Sequence, residues 1–272
     1  MTETTAKVRE HYNATGLTDR IKSALATIAP EAQTLTVAQL APLDQFHIRG
    51  ILATTELAAA AGLEPSTRVL DLGCGIGGPA RYLAATFGCK VTGVDLSPAF
   101  IDTATYLTAR CKLSDRVTFQ VGDALHLPFE DAAFDAMFLQ HVAMNVEDRL
   151  ALYAEVRRVL TPGGRFATYD LVVRDGDVAY PVPWARDAST SFLLSETDTR
   201  TALEQAGFRA VFWRDDTGTA IDWFKAAMAG SPPSGLNLGL VMGPDFPAIT
   251  SNLARNIREN RLGVLSAVLN RD

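Results

Sequence analysis

The sequence has no clustered positive charge, and this absence restricts the kinds of partner it can bind. Its 272 residues carry 25 Lys and Arg against 31 Asp and Glu, which gives a formal net charge of −6 at pH 7. No run of five or more basic residues occurs. Because nucleic-acid backbones and anionic membranes are bound through clustered Lys and Arg, we expect neither as the main partner.

Cysteine and long apolar runs are also scarce. Cys74, Cys89 and Cys111 are odd in number and widely spaced, which suits neither a disulfide framework nor a zinc site. No segment approaches the roughly 18 apolar residues of a membrane-spanning helix, and the first residues lack the pattern of a signal peptide. The four histidines show no metal-ligand spacing. These absences predict a cytoplasmic protein without a metal site.

The sequence does contain short apolar runs that alternate with amphipathic helical segments. Such runs predict strands at 68–72, 90–95, 117–121, 134–139 and 165–172, with two more at 209–214 and 262–269. Strands that alternate with helices imply βαβ units and a mostly parallel sheet. The fold class is therefore predicted to be α/β.

Capping residues and helix-breaking residues predict where several helices begin and end. Ser97-Pro98 is typical of an N-cap followed by proline at the first helical position. Ser195 with Asp198 resembles a capping box. Pro162-Gly163-Gly164 is expected to terminate the helix before it.

Three regions depart from the alternation. Residues 1–50 look helical and predict an N-terminal cap, which leaves 51–272 as the main domain. Residues 174–196 form an insertion after the fifth strand that is rich in proline and aromatic residues, among them Tyr180, Trp184 and Phe192. The insertion is either a lid that excludes water from an apolar or cationic substrate, or a loop on the domain edge. Residues 229–235 predict a loop or short linker.

A glycine-rich turn follows the first strand. A phosphate loop is excluded, because the glycines continue into Pro79-Ala80-Arg81 instead of Gly-Lys-Ser/Thr. Gly73, Gly75 and Gly78 match the G-x-G-x-x-G spacing of dinucleotide-binding proteins, so an NAD-dependent oxidoreductase stays an alternative. Asp71, two residues before the first glycine, would repel a pyrophosphate and attract an ammonium or a sulfonium.

The stretch "VLDLGCGIGG" resembles the first motif of class I methyltransferases that use S-adenosyl-L-methionine (SAM), with Gly73, Gly75 and Gly77 at its glycine positions and Asp71 at its acidic position. The resemblance implies a Rossmann-like, doubly wound sheet of seven strands. It also implies that Asp95, beside Leu96, meets the ribose hydroxyls of the cofactor.

Two later stretches resemble further signatures of the same family. In "VGDALHLPF" the resemblance places Asp123 at the adenine amino group and the Ala124 backbone near the ring. "VLTPGGRF" resembles the family's turn into the fifth strand. The ordered signatures extend from about residue 69 to 172.

The end of the fourth strand carries the candidate catalytic residue. In the resembled family the loop there adjoins the methyl group, and here it begins with Gln140-His141. We expect His141 to be a base or an orienter of the acceptor, since its usual pKa lies near physiological pH. The alternative is a structural histidine. Gln140 is expected to contact the amino-acid end of the cofactor, and Asn145 is a further candidate.

The N-terminal region offers residues that could line the acceptor side. Gln45, Phe46 and His47 form a polar and aromatic cluster where family members carry a segment that closes over SAM. Tyr12 resembles an N-terminal tyrosine that some members fold over the cofactor. A capped helix start with buried aromatic residues is the alternative. With Asn145 and Trp184, these side chains form the predicted lining of the acceptor site.

The resemblance implies a SAM-dependent methyltransferase that acts at N, O or C of a small molecule and releases S-adenosyl-L-homocysteine. Similar patterns occur in ubiquinone/menaquinone, tocopherol and sarcosine/dimethylglycine methylases. The Asn/Asp-Pro-Pro-Tyr/Phe tetrapeptide of base-amino methylases is absent. A methyltransferase-like scaffold that has lost its chemistry is a second alternative. A homodimer is a further expectation for the assembly.

Overall fold

A seven-stranded sheet lies at the centre of the computed structural model, which describes residues 3–12, 15–229 and 235–272. The strands are β1 Arg68–Leu72, β2 Lys90–Asp95, β3 Val117–Val121, β4 Phe134–Gln140, β5 Leu160–Val173, β6 Phe208–Asp215 and β7 Leu262–Arg271. Their order is β3-β2-β1-β4-β5-β7-β6, and only β7 runs antiparallel to its neighbours. The predicted α/β, mostly parallel sheet of seven strands is confirmed.

Eleven helices flank this sheet in the described residues. They are α1 Glu3–His11, α2 Leu17–Ala26, α3 Val37–Asp44, α4 Ile51–Ala61, α5 Gly78–Phe87, α6 Pro98–Arg110, α7 Arg149–Val159, α8 Glu196–Gln205, α9 Thr217–Ala229, α10 Gly239–Met242 and α11 Phe246–Arg258. Ser97 caps α6 by accepting from the Phe100 N–H, and Ser195 caps α8 by accepting from the Asp198 N–H. None of the helices in this described part has the length and hydropathy of a membrane span.

The centre of the sheet is buried on both faces, which explains the near-continuous apolar runs in β1, β4 and β7. Val69 and Leu70, adjacent on β1, belong to different hydrophobic clusters because successive side chains point to opposite faces. β5 begins at Leu160, five residues before its predicted start. Leu160 pairs with Phe134 and the register then shifts before Arg165, so the Pro-Gly-Gly turn lies inside the strand.

The N-terminal region is helical, as predicted. α1, α2 and α3 lie before residue 50, and the apolar side chains of α2 and α3 pack in one cluster with Phe100 and Leu107 of α6. The same cluster contains Leu236 and Val241 from the segment between β6 and β7. The cap therefore shares its core with a distant part of the chain, while its status as a separate domain stays a prediction.

The insertion at 174–196 packs on the domain with little regular structure. Val182, Trp184 and Ala185 are buried, which is typical of a loop with its own anchoring core. The predicted loop at 229–235 falls largely on residues 230–234, which lie outside the described residues.

The chain order reverses between β1 and β4. From β1 the chain proceeds outward through β2 and β3, then crosses back to β4 on the other side of β1. In open α/β sheets the loops at the carboxyl ends separate at such a switch point and leave a crevice for ligands. The site is expected there.

Candidate active site

A cavity of ≈ 660 Å³ opens at this switch point. The loops after β1, β2, β3 and β4 contribute to its wall, together with the N-terminal helices and the segment between β6 and β7. Predicted site residues on the wall are Tyr12, Gln45, His47, Gly73, Gly75, Asp95, Leu96, Asp123, Ala124, Gln140, His141, Asn145 and Trp184. The fold thus brings together thirteen side chains and glycines that are separated by up to 172 residues along the sequence.

The glycine turn crosses from β1 to the end of β2. The N–H groups of Gly73 and Cys74 both donate to the Val94 carbonyl, at 2.7 and 3.0 Å. Gly73 has a φ of +74°, and a Cβ there would lie 2.2 Å from Val142 Cγ2. Both the left-handed backbone and the close approach of the β4 loop therefore require glycine.

Asp95 joins this turn to the start of α6. Its Oδ2 accepts from the Gly75 N–H and its Oδ1 accepts from the Ser97 N–H, both at 2.9 Å. Burial raises the pKa of Asp95 to about 6, while these backbone donors oppose the increase. Each oxygen keeps a second lone pair, so the carboxylate can still accept from two hydroxyls of a ligand.

Asp71 and Gly77 do not lie on the cavity wall. Asp71 is buried and accepts from the Ala80 N–H at the start of α5. Burial and the charge of Asp95 raise the pKa of Asp71 to about 7. A Cβ on Gly77 would meet Phe119 and Arg81. Their arrangement holds the turn and α5, and their predicted role in cofactor binding stays a prediction.

A buried ion pair that the sequence did not reveal fixes α5 against the cap. Arg81 Nη2 lies 2.8 Å from Asp44 Oδ2, and both side chains are fully buried. The guanidinium also donates to the Ile76 carbonyl at 2.7 Å, inside the glycine turn. Gly78 makes this approach possible, because a Cβ there would lie 2.1 Å from the Asp44 carbonyl oxygen.

Asp123 shapes the loop after β3. Its Oδ1 accepts from the Leu125 N–H at 3.0 Å, which is typical of an Asx turn. Ala124 and Leu125 lie beside it on the cavity wall. The turn therefore presents one carboxylate and a short apolar surface to the cavity.

Gln140 and His47 are linked through Thr54 of α4. Gln140 Nε2 donates to Thr54 Oγ1 at 3.1 Å, and His47 Nε2 lies 3.0 Å from the same hydroxyl. His47 Nε2 also donates to the Gly50 carbonyl at 2.9 Å, which assigns the proton to that nitrogen. Burial lowers the pKa of His47 to about 4, so the ring is neutral at physiological pH.

His141 begins the loop after β4 with a φ of +56°, in the left-handed region. The His141 ring stacks on the Tyr169 ring, with centroids 5.5 Å apart. The backbone N–H of His141 donates to the Tyr169 carbonyl. Burial and the nearby His47 lower the pKa of His141 well below its usual value. Its Nε2 is buried without a hydrogen-bond partner in the described residues.

The loop that carries His141 is held by Asp170, a residue that the sequence did not single out. Asp170 Oδ2 accepts from the Ala143 N–H at 2.8 Å, and Oδ1 accepts from the Leu171 N–H at the same distance. Burial raises the pKa of Asp170 to about 6. No sequence motif identifies Asp170 as a site residue, because its role depends on the pairing of β4 with β5.

Tyr12, Asn145 and Trp184 form a connected group. The Tyr12 hydroxyl donates to Asn145 Oδ1 at 2.9 Å, and Asn145 Nδ2 donates to the Trp184 carbonyl at the same distance. Ser97 Oγ donates to the Tyr12 carbonyl at 3.1 Å. The N-terminal helix is thereby tied both to the end of β2 and to the 174–196 insertion.

The residues present fit a sulfonium nucleoside. Asp95 can accept from a diol, and Gln45 Oε1 is a buried acceptor that has no hydrogen-bond partner in the part of the chain that the structure describes. The turn that contains Gly73 and Gly75, both with positive φ, brings backbone instead of side chains to the cavity wall. No group of three or more metal-ligating side chains is found in the described residues.

A second part of the wall comes from α9, α10 and α11, between β6 and β7. Its side chains are mostly apolar: Trp223, Phe224, Leu238, Met242, Phe246, Thr250 and Leu253. Sequence reasoning missed this segment, because contacts between parts of the chain that are distant in sequence decide which surface it lines.

A family model described as a methyltransferase domain matches residues 70–168. Among curated proteins, the sterol 24-C-methyltransferase of Saccharomyces cerevisiae is 32% identical over 179 residues, which are 62% of this chain and 46% of the relative. Methyltransferase GfsG of Streptomyces halstedii is 36% identical over 169 residues, 61% of each chain. The chain thus spans less than half the length of the Saccharomyces protein.

Solved structures share the fold. Geranyl diphosphate C-methyltransferase from Streptomyces coelicolor, in complex with Mg²⁺, geranyl-S-thiolodiphosphate and S-adenosyl-L-homocysteine, superposes with a TM-score of 0.72 at 19% identity, over 100% of this chain and 99% of that one. A sarcosine dimethylglycine methyltransferase structure from Galdieria sulphuraria gives a TM-score of 0.61 at 20% identity, over 82% and 84%. The Rossmann-like methyltransferase fold implied by the sequence motifs is confirmed.

Proposed function

We propose, from the class I methyltransferase domain that residues 70–168 form, that this protein is an enzyme that transfers a methyl group from SAM to a small molecule. The observation that carries the proposal is Asp95, which is bound to the glycine turn through Gly75 and lines the cavity at the end of β2. An acid that holds two backbone donors and retains two free lone pairs suits the ribose diol of a nucleoside.

The remaining cofactor contacts follow from the wall of the cavity. Leu96 and Ala124 would flank the nucleoside, Asp123 would accept from the adenine amino group, and Gln140 would lie near the amino-acid end. Gln45 Oε1 offers an additional acceptor for the ammonium of that end. SAM supplies an activated methyl carbon, so the protein has to align the acceptor and accept a proton where the acceptor carries one.

His141 is proposed as the base or orienter on the acceptor side, with His47 beside it. The two ring centroids are 6.2 Å apart. Both rings are neutral, which a proton acceptor requires, and a lowered pKa makes each a weak base. Their contribution therefore fits a hydroxyl or carbon acid whose acidity rises during transfer.

Calorimetry with S-adenosyl-L-homocysteine tests the cofactor assignment. We expect micromolar binding, weakened at least about tenfold by Asp95→Ala, since two ribose hydrogen bonds to a charged group are lost. Asp115→Ala is the matched control, because Asp115 is an exposed acid. No binding by the wild type would overturn the proposal, and tight NADH binding by fluorescence titration would favour the oxidoreductase.

Incubation with labelled SAM and a metabolite extract tests transfer itself. A labelled small-molecule product is expected, methylated at N, O or C. Cofactor binding with no labelled product from any extract would favour an idle scaffold.

The proposal also includes a cytoplasmic location, the absence of nucleic-acid and membrane partners, a homodimer and the division at residue 50.

A further inference from the structure

The segment between β6 and β7 gives the cavity an apolar and aromatic wall. Trp223 and Phe224 come from α9, Met242 from α10, and Phe246 and Leu253 from α11. α10 also packs on the cap through Val241, so this wall is part of the folded core and not an appended surface. Such side chains bind an apolar ligand by removing its surface from water, and their aromatic rings can also attract a cation.

The charges around the cavity have one sign. Among the described residues, no Lys or Arg lines it, whereas Asp95, Asp123, Glu147 and Asp148 do. Glu147 and Asp148 are exposed and therefore act on anything that approaches from solvent. A site of this charge raises the free energy of a bound anion.

Nearby cations are already paired. Lys7 and Arg186 line a neighbouring cavity, where Lys7 lies 2.8 Å from Glu3 and Arg186 lies 2.9 Å from Asp245. Arg49, next to His47 in sequence, is bound to Glu56. None of these side chains is placed to neutralise a phosphate or carboxylate in the main cavity.

The polar side chains on the acceptor side are uncharged. His47 and His141 are neutral, and both hydrogen-bonding atoms of the Asn145 amide are bound to protein groups. Among the described residues of α9, α10 and α11 that line the cavity, none carries a carboxylate that could pair with a cationic acceptor.

We infer that the methyl acceptor is an uncharged, lipophilic molecule without a phosphate or carboxylate, held by the α9–α11 wall with its reacting group toward His47 and His141. The inference rests on the proposed methyl-transfer function and names its substrate class. It separates this protein from the structural neighbour whose complex contains geranyl-S-thiolodiphosphate and Mg²⁺. Similarity of fold therefore does not imply that the two proteins bind ligands of the same chemical class.

A matched pair of probes tests the inference. Farnesol and farnesyl diphosphate have the same apolar chain and differ only in the diphosphate. Each is titrated into protein saturated with S-adenosyl-L-homocysteine, and binding is followed by calorimetry and by tryptophan fluorescence. Farnesol is expected to bind at least about tenfold more tightly than farnesyl diphosphate, with and without Mg²⁺. Equal or tighter binding of the diphosphate, tighter binding of choline, or no binding of farnesol would overturn the inference.

Variants locate the binding surface. Trp223→Ala is expected to weaken farnesol about tenfold and to leave the affinity for S-adenosyl-L-homocysteine within about twofold. Trp213→Phe is the matched control, because Trp213 lies on β6 and donates to Glu196. Met242→Arg should shift the preference toward farnesyl diphosphate. An unchanged preference in Met242→Arg together with unchanged farnesol binding in Trp223→Ala would contradict the assignment.

The two proposals fail separately. Wild-type protein that binds S-adenosyl-L-homocysteine but not farnesol retains the proposed function and loses this inference. Protein that binds neither the cofactor product nor SAM loses the proposed function itself.

Discussion

Asp95 and His141 show how burial adjusts single residues in this cavity. Asp95 is partly buried, accepts two backbone N–H groups and still has a pKa of about 6, well above the usual value of an aspartate. His141 is shifted in the opposite direction, because burial disfavours the charged form of either group. Near neutral pH the site therefore holds one carboxylate for hydroxyl groups and neutral histidines.

The pKa of Asp95 predicts how cofactor binding depends on pH. The carboxylate accepts hydroxyl hydrogen bonds, so affinity for S-adenosyl-L-homocysteine should be constant above about pH 7 and fall as the pH drops through about 6. Calorimetry at pH 8, 7, 6 and 5.5 measures the decrease. Asp95→Asn should bind more weakly at pH 8 and show a flatter profile, whereas an equal slope in both proteins would contradict this assignment.

Protonation of Asp95 does not destabilise the fold, so unfolding caused by this residue cannot account for the decrease in cofactor affinity. Its folded-state pKa is raised, so the native state binds more protons than the unfolded chain between about pH 4 and 6, and acid favours folding in this window. His47 acts in the opposite direction, since its stabilising contribution is present above about pH 6.5 and is lost toward its pKa of about 4. Circular dichroism at each pH is the control.

His141→Ala tests the catalytic assignment. We expect the rate of methyl transfer to fall about a hundredfold, the usual range for loss of a general base. Affinity for S-adenosyl-L-homocysteine should change less than about twofold. The rate is measured with the acceptor that the extract assay identifies, and His126→Ala, at an exposed histidine, is the control. An unchanged rate would make His141 a structural residue.

At the scale of elements, the contact between α3 and α5 decides how the cap is joined to the sheet. The Arg81–Asp44 pair is fully buried, and Arg81 also donates to Ile76 within the glycine turn. Burial raises the pKa of Asp44 and the guanidinium opposes that increase. The pair therefore couples the position of the cap to the conformation of the cofactor turn.

Removing one partner of this pair should be more costly than removing both. Arg81→Ala leaves a buried carboxylate without its cation and is expected to lower the free energy of unfolding by about 3–5 kcal/mol, measured by urea denaturation. The double variant Arg81→Met, Asp44→Leu should recover part of this loss. Arg68→Ala breaks the largely exposed pair with Asp135 and should cost under about 1 kcal/mol. Equal costs for the buried and exposed pairs would contradict the expectation.

At the scale of the whole molecule, one cavity connects segments that are far apart in sequence. The cap, the loops at the switch point, the 174–196 insertion and α9–α11 all contribute to its wall. A ligand that fills the cavity therefore contacts several of these segments at once, and its binding stabilises their arrangement together.

Cofactor binding should accordingly stabilise the entire protein. At 100 times its dissociation constant, S-adenosyl-L-homocysteine is expected to add about 2.7 kcal/mol to the free energy of unfolding, a Tm increase of a few degrees. Hydrogen exchange should slow in α1 and in the loop after β4. Asp95→Ala at the same ligand concentration is the control. A Tm increase with unchanged exchange in α1 would mean that the cap does not respond to the ligand.

Much of the fold was predictable because burial leaves a direct pattern in the sequence. β1, β2 and β3 have their predicted bounds, since each is a short run rich in apolar residues that turn or helix signals bound in the sequence. The start of β5 was predicted five residues too late, because the Pro-Gly-Gly turn resembles a strand boundary and only the pairing of Leu160 with Phe134 shows that the strand begins earlier. The wall made by α9–α11 could not be predicted, because amphipathic periodicity marks a buried face without naming its partner.

Local pattern and short spacing were enough to predict the sheet, the glycine turn and the acids at 71, 95 and 123. The positions of these acids depend on the folded structure: Asp95 and Asp123 line the cavity, while Asp71 accepts from the Ala80 N–H at the start of α5. Tertiary structure also decided the Arg81–Asp44 pair, the support of the His141 loop by Asp170, and the apolar wall. These depend on contacts between segments distant in the chain, and such contacts are selected by packing and not by local propensity.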